Sequence, residues 1–90
     1  MTISIKRISN EKFEVNIESN QNTSHIVFLS DEMHDEITKN TKTKEDLINF
    51  SFEFLLEREP NTSILSSFDL KQINKYFPEF FDVVKSWIHE

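Results

Sequence analysis

The sequence predicts an α+β fold: a three-stranded antiparallel sheet over about residues 2–29, followed by about four helices over about residues 31–89. Apolar and polar residues alternate along the first thirty positions, which is typical of strands with one buried face. Farther on, apolar residues recur at helical spacing between cap signals, and residues 44–59 form the predicted central helix. The length fits a single domain, residues 1–90.

The strand predictions follow from residues spaced by two. Ile3 and Ile5 share one face, whereas Ile8 falls out of phase and indicates a strand end or a bulge. Residues 12–18 alternate strictly, and a polar loop over residues 19–23 has a plausible hairpin length. These positions therefore predict two strands and a hairpin loop that leads to a third strand.

The third predicted strand, residues 25–29, is apolar on both faces. A simple three-stranded meander places the second strand in the centre, so this pattern needs an explanation. We favour an arrangement in which a helix covers one face of the third strand and a partner chain covers the other. A different strand order is the alternative.

The central helix has a start signal, a stop signal and an unusually wide apolar surface. Thr43 is the predicted N-cap, with Asp46 three residues later, and Pro60 ends the helix. Its apolar positions span about 240° of the helical projection, against about 100° for a helix on a protein surface. The helix is therefore expected to pack on at least two sides.

Cap signals also place the flanking helices. Ser30 is the predicted N-cap of a short acidic helix before the central one. Asp69, with Gln72 three residues on, predicts the start of a later helix. Pro78 suits the first residue of the last helix.

Composition excludes several kinds of site. The chain has no glycine, which excludes glycine-rich phosphate loops, and no cysteine, which excludes disulfides and thiolate metal sites. Turns that need a positive φ are therefore predicted to use asparagine. The candidate positions are Asn10, Asn20, Asn22, Asn40 and Asn61.

The charge distribution bears on the choice of partner. The net charge is −6, and residues 31–60 alone carry nine acidic and four basic side chains. Without a basic stripe, no nucleic-acid partner is expected. No apolar run approaches membrane-spanning length, so no membrane association and a cytoplasmic location are expected.

One block of the sequence resembles a known family. It comprises Ser51-Phe-Glu-Phe-Leu-Leu-Glu-Arg-Glu-Pro60, then Ser63-Ile-Leu65, Phe68-Asp-Leu70 and Tyr76-Phe-Pro-Glu79. Over roughly residues 44–80 the chain is similar to a family of small, uncharacterised bacterial proteins. That family has no assigned activity, so the resemblance implies no catalytic residue, cofactor or ligand. The C-terminal stretch ending Trp87-Ile-His-Glu90 departs from the family pattern.

No catalytic, metal or cofactor site is predicted. His34 lies among acidic residues but has no further ligand three or four positions on, which favours a solvated helix start. Glu53 and Glu57 lie on the polar wedge of the central helix and are expected to face water.

Arg58 is singled out because it falls within the apolar arc of the central helix. One interpretation is that its stem lies along the helix end while its charge reaches water. The other is a buried ion pair, with Asp69 or Glu79, that fixes this helix to the C-terminal pair.

Nine Phe, one Trp and one Tyr are expected to exceed what one small core can bury, and a surplus patch would mark an interface. The third strand and the tail residues Phe80, Phe81, Trp87 and Ile88 are its predicted places. The leading hypothesis is a non-enzymatic protein–protein interaction module, a homodimer or a subunit of a complex. The alternative is an acidic, antitoxin-like inhibitor that masks a basic surface. A small-ligand binder or enzyme ranks third, and it would need a pocket joining Arg58, His25 or Tyr76.

Overall fold

The computed structural model describes all 90 residues of the chain. Its elements, in chain order, are β1 (Thr2–Ser9), β2 (Lys12–Glu18), β3 (Thr23–Phe28), α1 (Asp31–Thr38), α2 (Lys44–Leu56), β4 (Ser67–Asp69), α3 (Ile73–Tyr76) and α4 (Phe80–Ile88). Single 3₁₀ turns lie at Asn61–Ser63 and Leu70–Gln72. The predicted α+β fold class is confirmed, because three antiparallel strands come first and the helices follow.

The sheet has four strands in the order β1-β2-β3-β4, one more than predicted. β1, β2 and β3 are antiparallel neighbours, and β4 pairs in parallel with β3. β4 was missed because three residues with one apolar side chain give no alternation to detect. The predicted irregularity at Ile8 is confirmed as a register shift between Arg7 and Ser9.

The fourth strand changes the position of β3. With β4 beside it, β3 is an inner strand, but the alternative of a different strand order was wrong, because β1, β2 and β3 keep the order of a meander. Val27 and the following Leu29 are buried against the helices, together with His25. Ile26 is half-buried and Phe28 is exposed on the outer face of the sheet, which no helix covers. A helical layer therefore covers one face of β3, and cover by a partner chain stays a prediction.

α2 begins at its predicted cap, because the Thr43 hydroxyl accepts a hydrogen bond from the Asp46 backbone N–H at 3.0 Å. It ends at Leu56, three residues before the predicted end, and residues 57–59 form a turn that leads into Pro60. The residue before a proline is pushed out of the helical region, which shortens the helix.

The expectation that α2 packs on two sides is confirmed. On the sheet side, the Phe52 ring lies 5.6 Å from the His25 ring and 5.9 Å from the Phe68 ring. On the other side, Phe50 stacks on Trp87 of α4 at 4.2 Å. The wide apolar arc of α2 therefore packs against the sheet on one side and against α4 on the other.

The asparagine prediction is correct at one position only. Positive φ angles occur at Lys39 (55°) and Asn40 (58°), where the chain leaves α1. Lys39 takes the left-handed cap position without glycine, and its backbone N–H donates to the Asp35 carbonyl. At the remaining candidate positions the prediction was wrong, because those turns form without a positive φ.

The C-terminal caps follow the prediction in part. Asp69 and Gln72 form the predicted capping box, but it opens a 3₁₀ turn that continues into the short α3. Pro78 lies in the turn before α4 rather than at its first position, since α4 begins at Phe80. No helix is both long enough and apolar enough to cross a membrane.

Candidate functional site

His25 fastens the segment after α2 to the sheet. It is buried on the inner face of β3, and its Nδ1 lies 2.7 Å from the Leu65 carbonyl oxygen. A carbonyl only accepts, so Nδ1 carries the proton, and Nε2 accepts from the Thr23 hydroxyl at 2.9 Å. Both ring nitrogens are satisfied by neutral groups, so His25 acts as a structural histidine here.

Asn61 completes this network from the other side. Its side-chain N–H₂ donates to the Gln21 carbonyl at 2.8 Å and to the Thr23 hydroxyl at 2.9 Å. Its side-chain oxygen accepts from the Ser19 hydroxyl at 3.1 Å. The buried Asn61 thus joins the β2–β3 loop to the 3₁₀ turn after α2.

The segment held in this way forms one wall of an apolar groove of about 300 Å³. The end of α2, β4 and the region around α3 supply its other walls. We call it the Tyr76 groove; it is lined by Leu55, Glu59, Ser63, Ile64, Leu65, Phe68, Gln72, Ile73, Tyr76 and Phe77. Its volume is at the lower end of the range for ligand sites, about 300–1,000 Å³.

The groove has a buried floor and an exposed rim. Ile64, Phe68 and Ile73 are core residues, whereas Leu65 is 46% and Tyr76 64% exposed. Glu59 is the one charged residue in the lining, and no cation lies within 4.0 Å of its carboxylate. The site therefore presents apolar surface beside a single unpaired negative charge.

Arg58 lies outside the groove and is exposed. Its guanidinium donates to the Phe54 carbonyl at 2.9 Å and lies 3.5 Å from the centre of the Phe54 ring. It forms no ion pair with Asp69 or Glu79, because the salt bridges of the chain involve other residues. The buried ion pair is therefore absent. Arg58 lies at the helix end and is exposed, as the first interpretation expected, but its guanidinium also bonds to the Phe54 carbonyl and lies over the Phe54 ring.

The aromatic candidates of the tail have different environments. Phe80 is fully buried beside Phe54, at 5.1 Å between ring centres, so it is a core residue rather than a surface one. Phe81 is 36% exposed. Trp87 is half-buried between the Phe50 ring and the Lys42 ammonium, which lies 4.8 Å from its ring centre. Only Phe81 of the three offers much free surface.

A second polar junction lies at the opposite end of β2. The Lys44 side chain is only 5% exposed, and its ammonium donates to Asp31 at 2.6 Å and to the Asn10 carbonyl at 2.8 Å. Arg7 of β1 makes two hydrogen bonds to Glu45, at 3.1 and 3.2 Å. The first turn of α2 is thus tied to β1, to the β1–β2 turn and to α1.

Both carboxylates of this junction are held in the charged form. Donation from Lys44, and then from Asn10, lowers the pKa of Asp31 below its ordinary value. Donation from Arg7 lowers the pKa of Glu45. Because the Asp31 side chain is 70% exposed, water screens much of this attraction.

His34 has a structural partner too. Its Nε2 contacts the Lys42 carbonyl oxygen, which ties α1 to the loop before α2. No group of three or more potential metal ligands occurs in the chain.

Sequence reasoning missed Asn61, Lys44 and the Tyr76 groove. Asn61 and Lys44 are polar residues in exposed-looking positions, and no local pattern marks them as buried. The groove needs three segments that only the tertiary fold brings together. The capping box at Asp69 was the one available signal, since it marks the turn that precedes α3.

Comparison with protein-family models, curated proteins and solved structures gave no match. The resemblance of residues 44–80 to a family of small bacterial proteins stays a prediction.

Proposed function

We propose that this protein is a non-enzymatic interaction module that binds a partner protein through the Tyr76 groove. The observation that carries the proposal is the exposed apolar rim, Leu65 and Tyr76, above a floor continuous with the core. A concave apolar site with few polar groups suits an inserted side chain of a partner. A cytoplasmic location belongs to the same proposal, and cell fractionation tests it.

The charge of the groove indicates which residue types the partner segment should contain. Glu59 has no cation nearby, and the chain as a whole carries a net charge of −6. An apolar side chain followed by Lys or Arg would fill the groove and pair with this carboxylate. The partner segment is therefore proposed to be apolar and basic.

The test compares two double variants in affinity capture from the source cell. Leu65→Glu/Tyr76→Glu places charge on the groove rim, and Ile8→Glu/Ser9→Glu places it on two exposed residues at the end of β1. We expect one protein to be retained by the native chain and the control and to be lost from the groove variant. Retention of that protein by the groove variant, or no retained protein at all, would contradict the proposal.

A second candidate function is the masking of a basic surface by α1. Glu32, Asp35 and Glu36 are exposed on this helix, and none has a cation within 4.0 Å. An acidic helix of this kind binds through charge, so the affinity of its complex would fall steeply with salt. A complex that depends only weakly on salt and is lost in the groove variant favours the first function.

A further inference from the structure

β1 forms a long free edge of the sheet. It spans eight residues and pairs with β2 on one side only. In an antiparallel strand, alternate backbone N–H and C=O groups point away from the neighbour, so an edge strand leaves a row of them unpaired. The opposite edge, β4, has three residues. β1 is therefore the edge with room for another strand.

A shallow trough follows the first half of this edge. It is lined by Met1, Ile3, Asn49, Glu53, Leu56 and Glu57. Met1 is 74% exposed, and neither Glu53 nor Glu57 has a cation within 4.0 Å. The trough therefore offers apolar contacts and unpaired negative charge to whatever lies beside β1.

The second half of the same edge carries positive charge. Arg7 projects from the inner face of β1 towards the first turn of α2, where it meets Glu45. α2 thus runs antiparallel to β1, with its start beside Arg7 and its end beside Met1 and Ile3. Glu45 offsets part of this charge, but Nη1 of Arg7 forms no hydrogen bond and Lys6 has no carboxylate within 4.0 Å, so this end keeps positive charge while the other end is acidic.

We propose that two copies of the chain pair through β1 in antiparallel fashion, which joins their sheets into one of eight strands. An edge with opposite charges at its two ends is complementary to itself under two-fold symmetry. Matching faces require the axis to pass at a residue and not between two, because a one-residue slip exchanges the faces. We place it at Ser4 or at Ile5, since an axis at Lys6 would set Lys6 against its own copy. These choices place Arg7 of the second copy opposite Met1 or Ile3, both of which line the trough.

The side-chain pairs across this interface are compatible. With the axis at Ile5, Lys6 and Arg7 lie opposite Ser4 and Ile3, so no like charges oppose one another. With the axis at Ser4, Arg7 lies opposite Met1, whose α-amino group is also basic, and the axis at Ile5 is therefore favoured. Ile3 and Ile5 of the two copies meet on the inner face, where each is only half-buried in the single chain. A single strand pair buries little area, and the dimer is therefore of the weak, concentration-dependent class.

Crosslinking tests the location of the contact. The chain has no cysteine, so Ser4→Cys introduces one reactive thiol at the centre of the proposed interface. Ser67→Cys is the matched control, an exposed serine on β4 at the other edge. With a short bis-maleimide, we expect covalent dimers for Ser4→Cys and none for Ser67→Cys.

Charge reversal tests the complementarity. Glu53→Lys/Glu57→Lys changes the trough, and Glu32→Lys/Glu36→Lys makes the same change four residues apart on the exposed face of α1. By sedimentation equilibrium, the trough variant is expected to raise the dimer Kd at least about tenfold, which corresponds to about 1.4 kcal/mol. The control variant should leave the Kd within about threefold, and circular dichroism verifies that both fold.

Three results would overturn self-pairing through β1. They are a native chain that stays monomeric up to millimolar concentration, equal crosslinking at Ser4→Cys and Ser67→Cys, and a Kd that the trough variant leaves unchanged. The Leu65→Glu/Tyr76→Glu variant leaves β1 intact, so loss of partner capture and loss of the dimer are separate outcomes.

Discussion

At the β1–β2 turn, the sheet is joined to α1 and α2 by charged groups, Lys44 with Asp31 and Arg7 with Glu45. At the β2–β3 loop, the other end of the same strands, the sheet is joined to the segment after α2 by neutral groups. There Asn61 bonds to the Thr23 hydroxyl, and that hydroxyl donates to His25. The two junctions are therefore built from different chemistry.

The two junctions differ in how buried the remaining polar groups are after one residue is truncated. Asn61 and His25 are buried, so truncation strands polar groups away from water, which costs about 1–3 kcal/mol for each group. At the charged junction Asp31 is largely exposed, and water can replace its lost partner. The neutral junction should therefore dominate stability, whereas the charged junction should respond to pH and salt.

The largest effect is expected for Asn61→Ala. This change removes three hydrogen bonds and leaves the Thr23 hydroxyl without its donor, whereas the Gln21 carbonyl keeps a hydrogen bond from the Ser19 hydroxyl. We expect the free energy of unfolding, from urea titration at pH 7, to fall by about 3 kcal/mol. Asn20→Ala, in the exposed part of the same loop, should change it by less than about 0.5 kcal/mol. Equal effects of the two substitutions would remove the distinction between the junctions.

A smaller effect is expected for Lys44→Met. Methionine keeps the packing of the aliphatic stem, and the loss of the hydrogen bonds to Asp31 and Asn10 is partly offset because no ammonium is then buried. We expect a loss of about 1 kcal/mol in urea titration at pH 7. Lys85→Met, an exposed lysine on α4, is the control and should be nearly neutral. A variant more stable than the native chain would mean that burying the ammonium costs more than its hydrogen bonds contribute.

A contrast between local and long-range contacts explains which features could be predicted from the sequence. The three antiparallel strands, the cap of α2 and its packing on two sides follow from local patterns, because alternation and capping act within a few residues. β4 and the Tyr76 groove depend on contacts between segments far apart in sequence, such as His25 with Leu65. Arg58 shows that angular position on a helix does not determine burial, since a side chain inside an apolar arc can still fold over the helix end.

Burial of single polar residues was equally hidden from the sequence. Lys44 occupies the first turn of an amphipathic helix, where a solvated cation is the ordinary expectation, yet it is almost fully buried. Its partners come from the β1–β2 turn and from α1, and no spacing rule links those positions. Asn61 likewise follows a proline in a segment that composition alone marks as a loop.

The smallest effect is expected for Glu45→Gln, and its dependence on pH identifies the charged junction. Arg7 and Glu45 are each 43% exposed, so their pair should contribute about 0.5 kcal/mol at pH 7. Because the folded-state pKa of Glu45 is lowered, this contribution is present above the unfolded pKa and is lost as pH falls through the folded value. The difference in unfolding free energy between the native chain and the variant should therefore shrink from about pH 5 downwards.

Glu36→Gln, an exposed glutamate on α1, corrects for the change in net charge. A difference that stayed constant between pH 7 and pH 3 would show that the pair has no part in acid sensitivity, and the contrast between the two ends of the sheet would then rest on Lys44 alone.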